Sequence, residues 1–293
     1  MFNQYRDKQY KSYNEARKFF LDNPEKLIQI ENFCMDVLSD FMAKYHDEIK
    51  RDYDEASFLY PFWQNYPPDE RGRQPKGDQC PWIEVGEHVL CPKISRYLDA
   101  RFQVTDTGLP TRPDDRYIIS GRQLHSIMGI TDSVWLFIDI KSVGPRDDQD
   151  HAVMSHNQIS GNGKWTKKTF GVINDLMTAA GQRASHPFYC AIPPLFILSD
   201  GTIAPVVHFV IKPVYTMLGL SGETQGQPLK RITLVSIPNG ILLAENPNYL
   251  QLHKGLLFPG KDDKEKNPRK TRARVSFEIL RKLAEWRYAD IKF

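Results

Sequence analysis

The stretch Val134-Trp135-Leu136-Phe137-Ile138-Asp139-Ile140-Lys141 constrains this chain more than any other. An apolar run of this kind, rich in β-branched and aromatic residues, reads as a buried strand. Side chains alternate across a strand, so Asp139 and Lys141 share one face while Ile140 points to the other. A carboxylate and an ammonium at the end of a buried strand are costly unless paired, metal-bound or functional. Pro113-Asp114 stands 25 residues upstream of Asp139, just before another strand-like stretch.

The rest of the chain supplies material for a sheet and its covering helices. At 293 residues, with 41% hydrophobic and 12% aromatic content, it can bury a sizeable core, and the composition argues against wholesale disorder. Leu27, Ile30, Cys34, Val37, Leu38, Phe41 and Tyr45 follow helical spacing, which predicts an amphipathic helix from Asn23-Pro24 to about residue 48. Ser12 with Glu15 reads as a capping box opening an earlier helix. Residues 61–82 hold five prolines, so an extended, partly basic loop is expected there. A further helix carries Glu84 and Glu87 towards Tyr97. Strands are expected at Phe102–Thr105, Arg116–Ile119 and Val134–Lys141. Asp200-Gly201 and Asn239-Gly240 carry hairpin turn chemistry, joining Leu195–Leu198 to Thr202–Ile211 and Ile232–Ile237 to Ile241–Ala244. A last helix is expected from Ser276 to about Trp286. The expected class is α/β (α+β): a central mixed β-sheet flanked by helices.

No apolar run approaches the roughly 18 residues of a membrane span. The N-terminus, with Asn3, Arg6, Asp7 and Lys8, lacks the apolar segment of a secretory signal, so a soluble, cytoplasmic protein is expected. Cys34, Cys80, Cys91 and Cys190 form no C-x-x-C pair, which argues for reduced thiols rather than a zinc site.

Asp114, Asp139 and Lys141 together match the P-D…D-x-K pattern of a large nuclease superfamily. Phosphodiester hydrolysis needs a nucleophilic water, in-line attack and neutralised phosphate charge. Two carboxylates can hold Mg²⁺, which prefers oxygen donors and retains several waters. A lysine can orient the water, assist its deprotonation or stabilise the developing charge. The spacing alone is weak, because Glu48-Ile49-Lys50, Asp262-Asp263-Lys264 and Asp290-Ile291-Lys292 also carry it, and Pro68-Asp69 repeats the proline–acid pair. Strand context separates the copy at 139–141 from those in a helix, a charged loop and the tail. A structural ion pair between Asp139 and Lys141 is the competing reading.

The net charge of +3 does not by itself announce a nucleic-acid partner, but the charge is concentrated. From Lys261 to Arg274 seven basic residues stand against three acids. Such a segment is either a solvated loop or a phosphate-contacting patch.

A resemblance covering nearly the whole chain sharpens these readings. It is carried by Pro75-Lys76-Gly77-Asp78-Gln79, Pro81 through Glu87, Gly129-Ile130-Thr131-Asp132-Ser133 and Asp139 through Asp147. Asn157-Gln158, Ser160-Gly161-Asn162-Gly163, Ile197 through His208 and Pro259-Gly260-Lys261-Asp262-Asp263 extend it. In these blocks the chain closely resembles the BglI family of type II restriction endonucleases. The resemblance implies one restriction endonuclease domain over 1–293. Its N-terminal helices span about 12–60, its catalytic sheet core about 80–215 and its DNA-recognition region about 229–293. It implies a homodimer acting on double-stranded DNA, cleaving an interrupted palindrome of the form GCCNNNNNGGC to leave 3′ overhangs, with a companion DNA methyltransferase. The family's metal-binding acids fall on Asp114 and Asp139 and its lysine on Lys141, with the Ile140 carbonyl as a further ligand to Mg²⁺ and Glu87 as a third acid. Glu84 reads as a surface acid.

For base reading the resemblance points to Lys261, Asp263, Arg272 and Arg274, with Arg73 where the family has lysine and Asp147 as a further DNA-facing residue. Arginine and lysine donate to guanine O6 and N7, and aspartate accepts from cytosine N4, as a GC-only half-site demands. An extended Arg272-Ala273-Arg274 projects both guanidiniums from one face. His151, His156 and His208 lack paired metal spacing, and Gly161-Asn162-Gly163 reads as a tight turn. Two other functions remain open on the residues: a structure-selective repair or recombination nuclease, and a catalytically silent DNA-binding protein.

Overall fold

The computed structural model describes residues 2–55, 81–106, 114–143, 148–166, 176–179, 186–215, 229–259 and 272–293. Helices α1 (Phe2–Asp22), α2 (Pro24–Lys44), α3 (His46–Glu55) and α4 (Pro81–Asp99) come first. Strands β1 (Gln103–Asp106) and β2 (Asp114–Ser120), helix α5 (Arg122–Met128) and strands β3 (Ser133–Ile140) and β4 (His151–Ser155) follow. Then come β5 (Leu176–Ala179), β6 (His186–Tyr189), β7 (Leu195–Ile197), β8 (Ile203–Tyr215) and β9 (Leu229–Ile237). The chain continues through α6 (Gly240–Ala244), α7 (Tyr249–Leu252), β10 (Leu257–Pro259), β11 (Arg272–Ser276), α8 (Phe277–Leu283), a 3₁₀ turn (Glu285–Arg287) and β12 (Tyr288–Lys292).

All eight residues of β3 are buried, because the strand lies at the middle of the main sheet, in the order β1-β2-β3-β8-β9-β12. β7 folds back on β8 through a turn in which Gly201 takes a φ of +90°, the left-handed conformation the expected hairpin requires. β3 and β8 run parallel while the other neighbours run antiparallel, so the sheet is mixed, as expected.

Strand alternation divides the sheet into two faces with different cover. Val134, Leu136, Ile138 and Ile140 of β3, with Val207, Phe209 and Ile211 of β8, pack against Tyr13, Phe20, Leu27, Ile30, Leu38, Leu90, Ile94 and Leu124 from the helices. Each such buried aliphatic or aromatic side chain contributes about 1.5–3 kcal/mol. The opposite face carries Trp135, Phe137 and Asp139 of β3 and Val206, His208, Val210 and Lys212 of β8. Part of it is covered by a second sheet, β10-β11-β4, whose Ala152, Met154, Ala273 and Val275 pack with Val210, Val235 and Ile237. Asp139 thus sits at the end of the sheet's middle strand, on the face that meets the second sheet.

Several local expectations change. Ser12 lies inside α1, which runs back to Phe2, so Ser12 and Glu15 form no capping box. α2 ends at Lys44 rather than near residue 48, because the chain breaks at Tyr45 and restarts as α3. Asn23 does not cap α2 with its side chain; its Nδ2 donates to Phe19 O at 2.8 Å, closing the end of α1 instead. Asp290-Ile291-Lys292 is an edge strand, so strand context is not unique to 139–141. The difference is that Asp290, 32% exposed, is committed to Thr233 Oγ1 at 2.5 Å and Arg231 Nε at 3.6 Å.

Asn239-Gly240 makes no hairpin. Asn239 Oδ1 accepts from Ile241 N at 2.9 Å and caps α6, while its Nδ2 donates to the carbonyls of Pro194 and Val206, both at 2.8 Å. The buried amide therefore finds all its partners only in a strand-to-helix corner. Gly240 is required there for space, since a Cβ would lie 1.9 Å from the Gly161 carbonyl oxygen. Gly240→Ala is expected to lower stability by about 1–3 kcal/mol. An unchanged denaturant midpoint would contradict this close approach.

Candidate active site

β2 and β3 bring the two motif acids together through their register. Asp114 is the Cα partner of Asp139, at the first residue of β2 and the last but one of β3. Directly paired positions of antiparallel strands share one face of the sheet. Lys141 follows β3 but stays aligned with β8, its N–H donating to Ile211 O at 2.9 Å. Its Nζ lies 2.7 Å from Asp139 Oδ2, with the carboxylate 1% and the lysine side chain 23% exposed. The acid is buried, and the lysine that pairs with it is partly exposed.

The second oxygen of Asp139 is also held. Gln158 Nε2 donates to Asp139 Oδ1 at 3.3 Å. Gln158 Oε1 in turn accepts from Ser155 N at 3.0 Å, which fixes which end of the amide faces the aspartate; the Ser155 hydroxyl lies 3.0 Å from the same oxygen but nearer, at 2.6 Å, to Asn157 Oδ1. Along the same face, the Arg116 guanidinium lies 4.6 Å from the Phe137 ring centroid, and that ring lies 5.2 Å from His208. Burial, reinforced by the charge of Arg116, pushes the His208 pKa down to about 3, so the imidazole is neutral at physiological pH. It fills a packed layer and is not a base for the reaction.

Oxygen donors suit a hard divalent cation. Asp139 supplies a carboxylate, the backbone position paired with it carries Asp114, and the Ile140 carbonyl is next in the chain. Glu87 lies on α4, one turn before Cys91, whose carbonyl accepts from the Tyr117 hydroxyl of β2 at 3.4 Å. Among the described residues no group of three His, Cys, Asp or Glu side chains converges as a metal cage. The donor set nevertheless fits Mg²⁺ in kind: carboxylates and a carbonyl, without the thiolates that would favour zinc.

The second sheet presents the arginine pair. β11 is extended, as Arg272-Ala273-Arg274 predicts; Ala273 is fully buried, while Arg272 is exposed on the other side. Arg274 is held, with Nη1 2.7 Å from Asp148 Oδ2. Asp148 Oδ1 lies 2.9 Å from His151 Nδ1. Burial opposes the charge of Asp148, but His151 and Arg274 outweigh it and keep its carboxyl below the usual range. Lys212, only 2% exposed, donates to the carbonyls of Asp148 and His151 and fixes the backbone beneath Arg274.

The family model for restriction endonuclease BglI matches residues 8–291, nearly the full chain. The chain belongs to the BglI restriction endonuclease family. It is 46% identical over 288 residues to the type II restriction enzyme BglI of Bacillus subtilis, covering 97% of this chain and 96% of that protein. Its fold superposes on the crystal structure of BglI bound to its DNA recognition sequence with a TM-score of 0.88, covering 100% of this chain and 99% of the other at 46% identity. Tetrameric SfiI, bound to cognate DNA, matches with a TM-score of 0.61 at 13% identity over 92% of this chain and 85% of SfiI, a likeness of fold alone. The BglI-family protein is therefore a type II restriction endonuclease, a site-specific deoxyribonuclease with a mixed sheet flanked by helices.

Of the residues the sequence singles out in this BglI-family chain, Asp139 and Lys141 are in direct contact and Asp114 is placed opposite Asp139. Arg272 and Arg274 stand on β11, in the second sheet rather than in the sheet that carries the acids. Arg73, Asp147, Lys261 and Asp263 lie outside the described residues, and Glu87 is described only as part of α4. Gln158 and Asp148 escape the sequence reading as site residues. Neither has a local motif; only the fold brings a glutamine to Asp139 and an aspartate to Arg274. Ser160-Gly161-Asn162-Gly163 packs against α1, with Tyr13 OH donating to Gly163 O at 2.9 Å and Arg17 Nε to Asn162 O at 2.8 Å; it is a structural connection paired to Ile192 through Ser160, not the expected tight turn. Among the described residues no helix is long and apolar enough to cross a membrane.

Proposed function

We propose that this protein cleaves double-stranded DNA as a Mg²⁺-dependent homodimer at an interrupted palindrome of the form GCCNNNNNGGC, leaving 3′ overhangs. The observation that carries the catalytic half is the buried Asp139 carboxylate, paired in register with Asp114 and 2.7 Å from the Lys141 ammonium. Asp114, Asp139 and the Ile140 carbonyl would hold the metal, with Glu87 as a third acid. When bound, Mg²⁺ supplies Lewis-acid polarisation of the phosphate and of a water. Lys141 is partly exposed at the mouth of the site, where its ammonium can orient the attacking water and stabilise charge on the phosphate. His208 is neutral and packed, whereas the Lys141 ammonium contacts Asp139 and is partly exposed.

In this reading residues 1–293 form one endonuclease domain, with helices at about 12–60, the catalytic core at about 80–215 and recognition at about 229–293. β9 and β12 of that last region also complete the main sheet that carries Asp139. Lys261, Asp263, Arg272, Arg274 and Arg73 read the GC half-sites, and Asp147 faces the DNA. Two-fold symmetry of the dimer matches that of the palindrome. A bacterial cytoplasm, and a methyltransferase that protects the host's own sites, complete the proposal.

Duplex oligonucleotides bearing GCCNNNNNGGC test this reading directly. Cutting is expected in Mg²⁺, and none in chelator. Preferential cutting of a branched junction, or tight duplex binding with no cutting in Mg²⁺, would overturn it. Arg272→Ala or Arg274→Ala is expected to lose about 1–3 kcal/mol of discrimination at one base pair. An equal loss of affinity for all sequences would instead make that arginine a phosphate contact.

A further inference from the structure

We infer that Gln158 is a positioning residue that holds the Asp139 carboxylate and ties it to the strand pair carrying the arginines; this rests on the nuclease reading above. Gln158 is 7% exposed and donates its Nε2 to Asp139 Oδ1 at 3.3 Å. Its orientation is not free. Ser155 donates its N–H to Gln158 Oε1 at 3.0 Å, so the amide cannot rotate by half a turn without setting donor against donor there and acceptor against acceptor at Asp139. Ser155 ends β4 and is the Cα partner of Arg272 on β11. A path of hydrogen bonds and strand pairing therefore runs from Arg272 through Ser155 and Gln158 to Asp139. It crosses from the second sheet to the main one at the carboxylate that cutting requires.

The consequence for the reaction follows from geometry. A carboxylate that must hold a metal and face Lys141 has to keep one rotamer, and a buried, oriented donor supplies that restraint. Because Gln158 hangs from the end of β4, displacement of β4–β11 when Arg272 docks on a base moves the donor relative to Asp139. Reading a wrong base is then felt at the carboxylate as well as at the base. Coupling of this kind is measured by non-additivity.

Gln158→Leu and Gln158→Glu separate the possibilities. The leucine keeps bulk and loses both polar ends; the glutamate keeps the acceptor for Ser155 and sets a carboxyl oxygen, with its like charge, where the amide donor faced Asp139. Both are expected to bind the cognate duplex in chelator within a few-fold of the parent. In single-turnover cleavage both should be about 10–100-fold slower, with half-saturation shifted to higher Mg²⁺, the range seen when groups supporting metal ligands are removed. Parent-like cleavage by the Gln158→Glu variant would overturn the positioning role, because packing and Ser155 contacts would then suffice. In a double-mutant cycle, Gln158→Leu with Arg272→Ala should slow cutting at least several-fold less than the product of the single effects. Additivity within twofold would overturn the link to the arginine strand. Failure of the parent protein to cut the duplex at all would strike the nuclease reading instead, and the two failures are distinct.

Discussion

Asp139→Asn is expected to reduce DNA cleavage on the order of a thousandfold or more while leaving a folded protein that still binds its site. The physical basis is the separation of two roles at one buried side chain. Asparagine retains an oxygen to accept from Gln158 Nε2, so the fold around β3 keeps its hydrogen bond. It removes the negative charge that would hold a cation and replaces the oxygen 2.7 Å from Lys141 with an amide group. Lys141→Ala removes the opposite partner and should be comparably inactive; in addition it leaves a fully buried carboxylate without its cation, so it should melt earlier in the absence of metal. Gel-based cleavage, binding in chelator and thermal melting together check these outcomes. Near-normal cutting by either variant would remove both residues from the chemistry and leave them a structural ion pair.

Arg287→Met is expected to destabilise the fold by about 3–5 kcal/mol without touching the catalytic residues. Arg287 Nη2 lies 2.7 Å from Glu31 Oε2, the two side chains being 1% and 0% exposed. The guanidinium also stacks on Trp286 at 4.3 Å, and Glu31 Oε1 accepts from Asn239 N at 2.6 Å. One buried pair thus joins α2, the strand-to-helix corner at Asn239 and the approach to β12. Burial lifts the Glu31 carboxyl above its ordinary value, against the pull of Arg287. With the guanidinium gone the lift grows, and the folded form binds the proton more tightly than the unfolded chain does. The variant should therefore be least impaired in acid, losing stability as pH rises through the raised carboxyl value. Denaturant midpoints measured against pH check the sign. Adding Glu31→Met to Arg287→Met should recover most of the loss, because the stranded charge is then removed as well.

The features most legible in the sequence are those with strong local physics. An apolar run ending in Asp-Ile-Lys fits little other than a central strand, and β3 is that strand. Asp200-Gly201 makes the hairpin its chemistry demands, and Arg272-Ala273-Arg274 is extended with its alanine buried. Asn239-Gly240 misleads because the same dipeptide that favours a hairpin turn also caps a helix; Glu31, Pro194 and Val206 decide between them, and all three are distant in sequence. The C-terminal strand Tyr288–Lys292 reads as a tail because an edge strand has only one paired side and needs no apolar run. At the site, Asp139 and Lys141 are visible as costly charges at the end of a buried strand. Gln158 is not, since an amide becomes informative only when the fold shows what it touches.

Whether Asp114, Asp139 and Lys141 cut duplex DNA under the direction of a separate reading surface is tested most directly by sequencing the ends left when the purified protein digests a bacterial genome in Mg²⁺. The expected ends fall within the spacer of GCCNNNNNGGC sites and carry 3′ overhangs. Ends scattered without a common sequence, or an intact genome to which the protein nonetheless binds, would contradict this.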